Sequence, residues 1–474
     1  MTLTRPIPGH PGATTRRTVL QSIIAAPLLI GAAGSLASCG RSGPLGGGTA
    51  QAYPVAASTV TRAAADPAKA GFAAQATARF GSAVLRELAP EPPEKNLLIS
   101  PYSIMVALGM TKLGARGETL AAMDEVLGDN AKAGPLASGL NALGQQLASY
   151  AGEREWTNGK VTIDWSEANS LWGQHDTPWE QPFLDSLARD FGAGMHQVDY
   201  KAAAEAARTA INGWTSQATK SKIPEIIEAN SLNDMTRLVL VNAVHFKAPW
   251  ASPFFESETK PEPFTRADGS RVDVPMMRGG AAGVESGPGM PGFVAISLAY
   301  ADLKFGFTAV LPNAGQEAAV HELMSTDVSE ILTGLNPMRE QQNAPDPQTP
   351  VSGKVSERYP ATLVMPRFSL DYGAALKPAL TALGMGIAFD QTRADLSGMT
   401  TAERLFISFV AHKATMDVDE KGTEAAAATA IGAEAVSAPL KVLDVRLDRP
   451  FYVILTDQAN NTPLFLGYVA DPSA

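Results

Sequence analysis

The sequence predicts an α+β body, and three observations carry that expectation. Helical spacing dominates the first part of the chain, and strand-like runs dominate the later part. Helices and strands do not alternate in a repeated βαβ rhythm, and no internal repeat is present. Beyond the N-terminal region no second low-complexity linker divides the chain, so residues 71–474 read as one domain. The 474 residues are 45% hydrophobic, enough for a large core. A net charge of −10, with no long single-sign block, gives no basic footprint for nucleic acid. The one cysteine, Cys39, excludes an intrachain disulfide.

Residues 1–39 read as an address. Arg16 and Arg17 precede the apolar run Ser22 to Ala33, which is short for a membrane span and broken by Pro27. Paired arginines ahead of such a run resemble a twin-arginine export signal. Leu36-Ala37-Ser38-Cys39 is similar to a bacterial lipobox, so Cys39 is the expected lipidation site. The expected location is a cell-surface lipoprotein or an extracellular protein, with the lipid as the only membrane contact. Residues 40–70, rich in Gly, Ala, Ser and Pro, read as a flexible tether.

In the body, Phe72, Ala76, Phe80, Val84 and Leu88 recur four apart and predict a helix that stops at Pro90. Ser100-Pro101 is an N-cap followed by proline at the first helical position, opening a second helix. Residues 117–128 and 203–223 give further helices. Strands are expected over residues 236–250, 292–300, 305–315, 359–373 and 405–418 and in the C-terminal segment. Residues 336–358 read as a polar loop, and the glycine-rich 279–289 as a surface turn.

The search for enzyme chemistry finds little. None of the six histidines forms an H-E-x-x-H pair, and there is no cysteine cluster for zinc. No nucleophile elbow and no phosphate-binding glycine loop is present. His245 and His412 lie within apolar strand-like runs and read as structural. No catalytic residue, metal site or cofactor is expected.

The unusual feature is "DEKGTEAAAATAIGAEAVSAPLK", residues 419–441, between two strand-like runs. Read with a period of two, one face carries Thr423, Ala425, Ala427, Thr429 and Ile431, all small or apolar and uncharged. The other carries Glu424, Ala426, Ala428, Ala430 and Gly432. Such a piece could slide between strands with one face toward a core and one toward solvent. Gly422-Thr423 reads as a flexible point at its start. Alanine has little strand propensity of its own, so an outside event would have to drive it into a sheet.

"DEKGTEAAAATA" after "FVAHKATMDV" resembles the hinge of a serpin reactive-centre loop. Ordered blocks along the body resemble serpin segments too: residues 96–128, 168–174, 211–227, 238–254, 264–277, 311–315, 365–370, 383–399 and 449–472. The resemblance implies the serpin fold, with three β-sheets, about nine helices and an exposed reactive-centre loop at about 420–444. It implies a monomer that is no enzyme but a suicide inhibitor, trapped in a covalent complex with a target serine or cysteine protease. A non-inhibitory serpin, acting as binding module or protease substrate, is the alternative.

Residue by residue, Glu420, Gly422, Thr423, Ala425, Ala426, Ala427, Ala428 and Thr429 match the inhibitory hinge. Ser100, Ser103, Asn242 and His412 match the polar cluster where the main sheet opens. Trp250 matches the tryptophan where the loop first enters. Sixteen positions after Glu420 the bait bond falls at Val436–Ser437, with Ala435 as the next choice. Counting back from Arg449-Pro450-Phe451 gives a later site near Pro439. No Lys or Arg lies between Lys421 and Lys441, so an elastase-like or subtilisin-like target is expected over a trypsin-like one.

Overall fold

A computed structural model describes residues 53–129, 135–156, 159–285, 292–334, 359–423 and 443–474. The signal segment and Cys39, the loop at 336–358, and residues 424–442 of the reactive-centre segment lie outside the described residues.

Nine helices occur among the described residues: α1 (Ala70–Leu88), α2 (Pro101–Lys112), α3 (Gly117–Leu127), α4 (Leu136–Tyr150), α5 (Gln181–Phe191), α6 (Tyr200–Ala218), α7 (Glu317–Thr326), α8 (Val328–Gly334) and α9 (Lys377–Ala382). Helix α1 buries Ala73, Phe80 and Val84 and ends before Pro90. Helix α2 is buried on every side from Pro101 to Thr111, as its uniformly apolar sequence requires. The Ser100 side chain caps it by accepting from the Ser103 amide.

The strands, in chain order, are β1 (Val55–Ala56), β2 (Leu97–Ile99), β3 (Gly152–Trp156), β4 (Gly159–Gln174), β5 (Met195–Val198) and β6 (Leu238–Pro249). Then come β7 (Lys260–Thr265), β8 (Arg271–Glu285), β9 (Phe293–Ala299), β10 (Phe305–Pro312), β11 (Tyr359–Pro366) and β12 (Phe368–Ala375). The last are β13 (Phe409–Val418), β14 (Gly422–Thr423), β15 (Leu443–Arg446), β16 (Phe451–Asp457) and β17 (Thr462–Val469).

The main sheet has the order β1-β5-β4-β6-β14-β13-β12, with β3 folded back on β4. A nine-stranded array, β15-β11-β8-β9-β10-β16-β17-β2 with β7 on β8, makes up the other two sheets. They join because β8 pairs with β7 and β11 over most of its length and with β9 at its end. Three sheets and, among the described residues, nine helices make the fold the sequence blocks implied. Helix α6 lies across the front of the main sheet, its Ala207, Ala210, Ile211 and Trp214 packing on Val239 and Val241 of β6 and Ala411 of β13.

Three sequence readings change. The tether reading of 40–70 fails from Tyr53 onward: β1 pairs with β5, and the segment is bonded to α4 and α5 before α1 begins. The turn reading of 279–289 fails up to Glu285, because those residues continue β8, opposite β11 as far as Val284 and opposite β9 at its end. The outer face of the alanine stretch would not meet solvent throughout, since α6 covers the lower half of the sheet there.

An aromatic cluster joins the main sheet to the array behind it. The fully buried Phe305 of β10 packs 4.9 Å from Phe246, 5.6 Å from Tyr150 and 6.0 Å from Trp165, ring centre to ring centre. Phe305→Ala should lower the stability of the native state by about 3–5 kcal/mol in urea titrations. A loss under about 1 kcal/mol would show that the cluster does not anchor the sheet.

Candidate functional site: a hinge seated in an open seam

The centre of the main sheet is unusual in its strand directions. Strands β6 and β13 run parallel, Phe409 to Ala414 opposite Val239 to Val244. Their outer neighbours, β4 and β12, are antiparallel to them. Two parallel strands between antiparallel partners leave the pattern short by one antiparallel strand. At the upper end that strand has begun: Thr423 of β14 faces Val418 on β13 and Ala248 on β6, and Gly422 faces Pro249.

Backbone squeeze explains Gly422. A Cβ there would lie 2.2 Å from the Ala248 carbonyl oxygen and 2.7 Å from the Pro249 Cα. Gly422 therefore serves close approach rather than flexibility, which corrects the sequence reading. Thr423 is buried, and its hydroxyl is 2.5 Å from the Tyr300 hydroxyl. Trp250 stacks on Tyr300 at 4.5 Å. Its indole N–H donates to the Asp419 carbonyl at 2.9 Å and its amide to the Lys421 carbonyl at 2.8 Å. The Asp419 side chain accepts from the Lys421 and Gly422 amides, closing the turn into β14.

Glu420 is buried in this turn. Arg367 donates to both carboxylate oxygens at 2.6 and 2.8 Å, and the Thr259 hydroxyl donates at 2.7 Å. Burial pushes the Glu420 carboxyl up, but these bonds outweigh it and hold the group below the usual carboxylate range. The first four residues of the expected loop, 420–423, are thus inside the body; the expectation of a wholly exposed loop is corrected there.

Below β14, where β6 and β13 touch directly, four predicted residues converge. The Ser100 amide donates to His412 Nε2 at 3.2 Å, so the proton sits on Nδ1. Nδ1 donates to Asn242 Oδ1 at 2.5 Å, and Asn242 Nδ2 donates to the Ala411 carbonyl at 3.0 Å. The Ser100 hydroxyl donates to the Leu464 carbonyl at 2.7 Å. Ser103 lies one turn along and donates to Asn169 Oδ1 at 2.6 Å. His412 and Asn242 thus hold the seam shut side chain to side chain, while Ser100 ties it to α2.

The structure brings these four expected residues together and places Trp250 and residues 420, 422 and 423 at the mouth of the seam. Arg367, Thr259, Tyr300, Asp419 and Asn169, which touch them, were not among the expected site residues. Ala425 to Thr429, Val436 and Ser437 lie outside the described residues.

Burial pushes the His412 imidazole down to about 3. The unfolded chain, with a histidine near 6.5, binds the extra proton first as pH falls, so the stability His412 contributes is full above about pH 6.5 and declines toward pH 3. Native stability should therefore drop between pH 7.5 and 5.0 by about 2 kcal/mol more in the wild type than in His412→Gln, read from urea midpoints. Equal drops would contradict the neutral, locked imidazole.

Comparison with known proteins agrees with this geometry. Residues 75–472 match the family described as Serpin (serine protease inhibitor). The leukocyte elastase inhibitor of Homo sapiens is 31% identical over 403 residues, spanning 84% of this chain and 98% of that protein. Antithrombin-III of Mus musculus is 28% identical over 406 residues, 84% of this chain and 81% of that one. The native-state crystal structure of the thermophilic serpin tengpin aligns with a TM-score of 0.70 at 26% identity, covering 88% of this chain and 97% of its own. Serpins form covalent complexes with the proteases they inhibit and are generally not enzymes themselves. On the family match and the relatives together, the chain belongs to the serpin family of serine protease inhibitors.

Proposed function

We propose that this chain is an inhibitory serpin that traps an elastase-like or subtilisin-like serine or cysteine endopeptidase. The observation that carries the reading is β14, two hinge residues already hydrogen-bonded between two parallel strands in the antiparallel sense. Continued in this register, each step forward along the loop is one step back along β6 and β13. Glu424 then stands beside Lys247 in the exposed upper sheet. Ala428, Ala430 and Gly432 enter beneath α6, where only small side chains pass. Thr429 arrives between His412 and Asn242, offering a hydroxyl where insertion breaks their bond. Gly432 reaches Phe409 and Ala433 reaches Leu238, the first residues of β13 and β6.

The bait bond Val436–Ser437 lies just past that lower end, which favours it over the site near Pro439. The protease nucleophile adds to the Val436 carbonyl, the Ser437 amine leaves with a proton, and an acyl-enzyme remains. The freed strand fills the seam. About ten new ladder bonds, at about 0.5–1.5 kcal/mol each, supply on the order of 10 kcal/mol to carry the protease with it. No positive residue between Lys421 and Lys441 invites trypsin, and the human relative's name points to an elastase.

Incubation with elastase, subtilisin and trypsin, read on denaturing gels, should give a covalent complex with one of the first two. In the same assay Thr423→Arg, which forces a charge against Tyr300, should yield cleaved protein instead of complex. Cleavage of the wild type without any complex would overturn the inhibitor reading.

We further propose export and anchoring through a lipidated Cys39, leaving a monomeric inhibitor at the cell surface. The pairing of Arg16-Arg17 with a lone cysteine in Leu36–Cys39 supports this. Labelled palmitate should enter the wild type expressed in a bacterial host and not Cys39→Ala; equal labelling, or none, would contradict it.

A further inference from the structure

Strand β4 runs on past the strand it lies against. Its pairing with β6 starts at Asp164, opposite Lys247, yet the strand itself starts at Gly159. The extra length folds with β3 into a two-stranded ribbon, from Gly152 opposite Ile163 to Trp156 opposite Gly159. Gly152 and Gly159 open the two strands at φ of 115° and 119°, where a side chain would be strained. The ribbon is rooted at its base. Arg154 donates to the Ser149 and Ala151 carbonyls at 2.6 and 3.2 Å, and it reaches Asp302, in the turn between β9 and β10, at 3.6 Å. Glu153, Glu155, Lys160 and Thr162 are exposed on one face, with Lys160 donating to Glu153 at 2.5 Å.

Trp156 differs from the other five tryptophans. Trp165, Trp172, Trp214 and Trp250 pack against neighbouring rings, and Trp179 packs on the main core. Trp156 has no ring partner and no place on a core cluster among the described residues. Its cross-strand neighbour Gly159 is exposed, and a Cβ there would have no atom within 4 Å. The chain thus carries a half-buried indole out of the core to the far end of a ribbon, with open space opposite it.

The ribbon rises beside the mouth of the seam. Carrying the register of β4 and β6 onward, Thr162 is level with Pro249, the residue that Gly422 faces. Gly159 and its partner Trp156 are three residues higher, about 10 Å above the hinge. Sideways, β4 is two strand spacings from β14, again about 10 Å. A protease domain of about 230 residues has a radius of gyration of about 17 Å and is roughly 45 Å across. Held on a loop that leaves the sheet at Thr423, a body of that width overhangs the ribbon.

We propose that this ribbon, with Trp156 as its anchor, is a second contact surface for the protease that attacks the loop. The indole packs on an apolar patch at the rim of the protease, outside its cleft, and Glu153, Glu155 and Lys160 form the polar border. The contact speeds capture and narrows the choice of protease beyond what the residues at the bait bond set. It deepens the function proposed above and rests on it.

The test follows the second-order rate at which elastase and subtilisin consume the intact full chain, whatever the product. Trp156→Ala should lower that rate about tenfold with at least one of the two enzymes and keep the wild-type urea midpoint. Trp156→Phe, which keeps an aromatic ring, should retain most of the rate. Met235→Ala, which removes an exposed apolar side chain near the opposite end of β6, should leave it unchanged. Equal rates for wild type and Trp156→Ala with both enzymes, or a loss that comes only with a fallen urea midpoint, would overturn the contact. Attack by neither enzyme would remove the partner and the role of the ribbon with it. The product reports on the other reading: cleaved chain without complex sinks the inhibitor while the rate comparison still decides the contact.

Discussion

The structure depends on one departure from regular strand order: β6 and β13 lie side by side and parallel inside a sheet whose other central pairs are antiparallel. An antiparallel strand between them would satisfy both neighbours with straighter hydrogen bonds than the slanted parallel ladder gives. The native sheet is therefore complete in hydrogen bonding yet not at its best arrangement. Gly422 and Thr423, near the start of the loop, sit in that gap, and under the proposed function the loop behind them supplies the missing strand.

Around that constraint the polar groups at the seam divide into two sets. At the top, Glu420, Arg367, Asp419 and Trp250 hold the hinge at the mouth of the seam. In the middle, Ser100, His412 and Asn242 hold the seam closed. Each bond is modest in net terms, about 1 kcal/mol, but a buried member left without its partner costs more. The arrangement resists opening until a strand arrives that restores the lost partners. On the proposed insertion in the register of β14, Thr429, the one hydroxyl midway along the inserting face, would meet the His412–Asn242 pair.

Much of this was legible in the sequence because the hinge has to be built from unusual residues. A run without anchors, bounded by strands, stands out from ordinary loops, and its ordered surroundings brought Ser100, Asn242 and His412 into view together. What stayed hidden was contact between distant segments. Arg367 as the partner of Glu420 leaves no local trace, since neither spacing nor composition links residues 53 positions apart. The strap at residues 53–69 was misread because Gly, Ala, Ser and Pro suit a tether as well as a segment laid in a groove. The groove itself is marked only by glycines on the receiving side. Gly422 was misread for the same reason: local sequence shows that a side chain is missing, not which backbone fills its place.

The central claim is that the seam between β6 and β13 takes up the loop after cleavage, in the register β14 sets. Amide hydrogen exchange followed through residues 424–433, β6 and β13, before and after cleavage at the bait bond, tests it most directly. The account predicts that residues 424–432 gain protection comparable to the central strands, and that the exchange of Val239–Val244 and Phe409–Ala414 slows as well. Residues 424–432 exchanging after cleavage as fast as an open chain, with β6 and β13 unchanged, would contradict it.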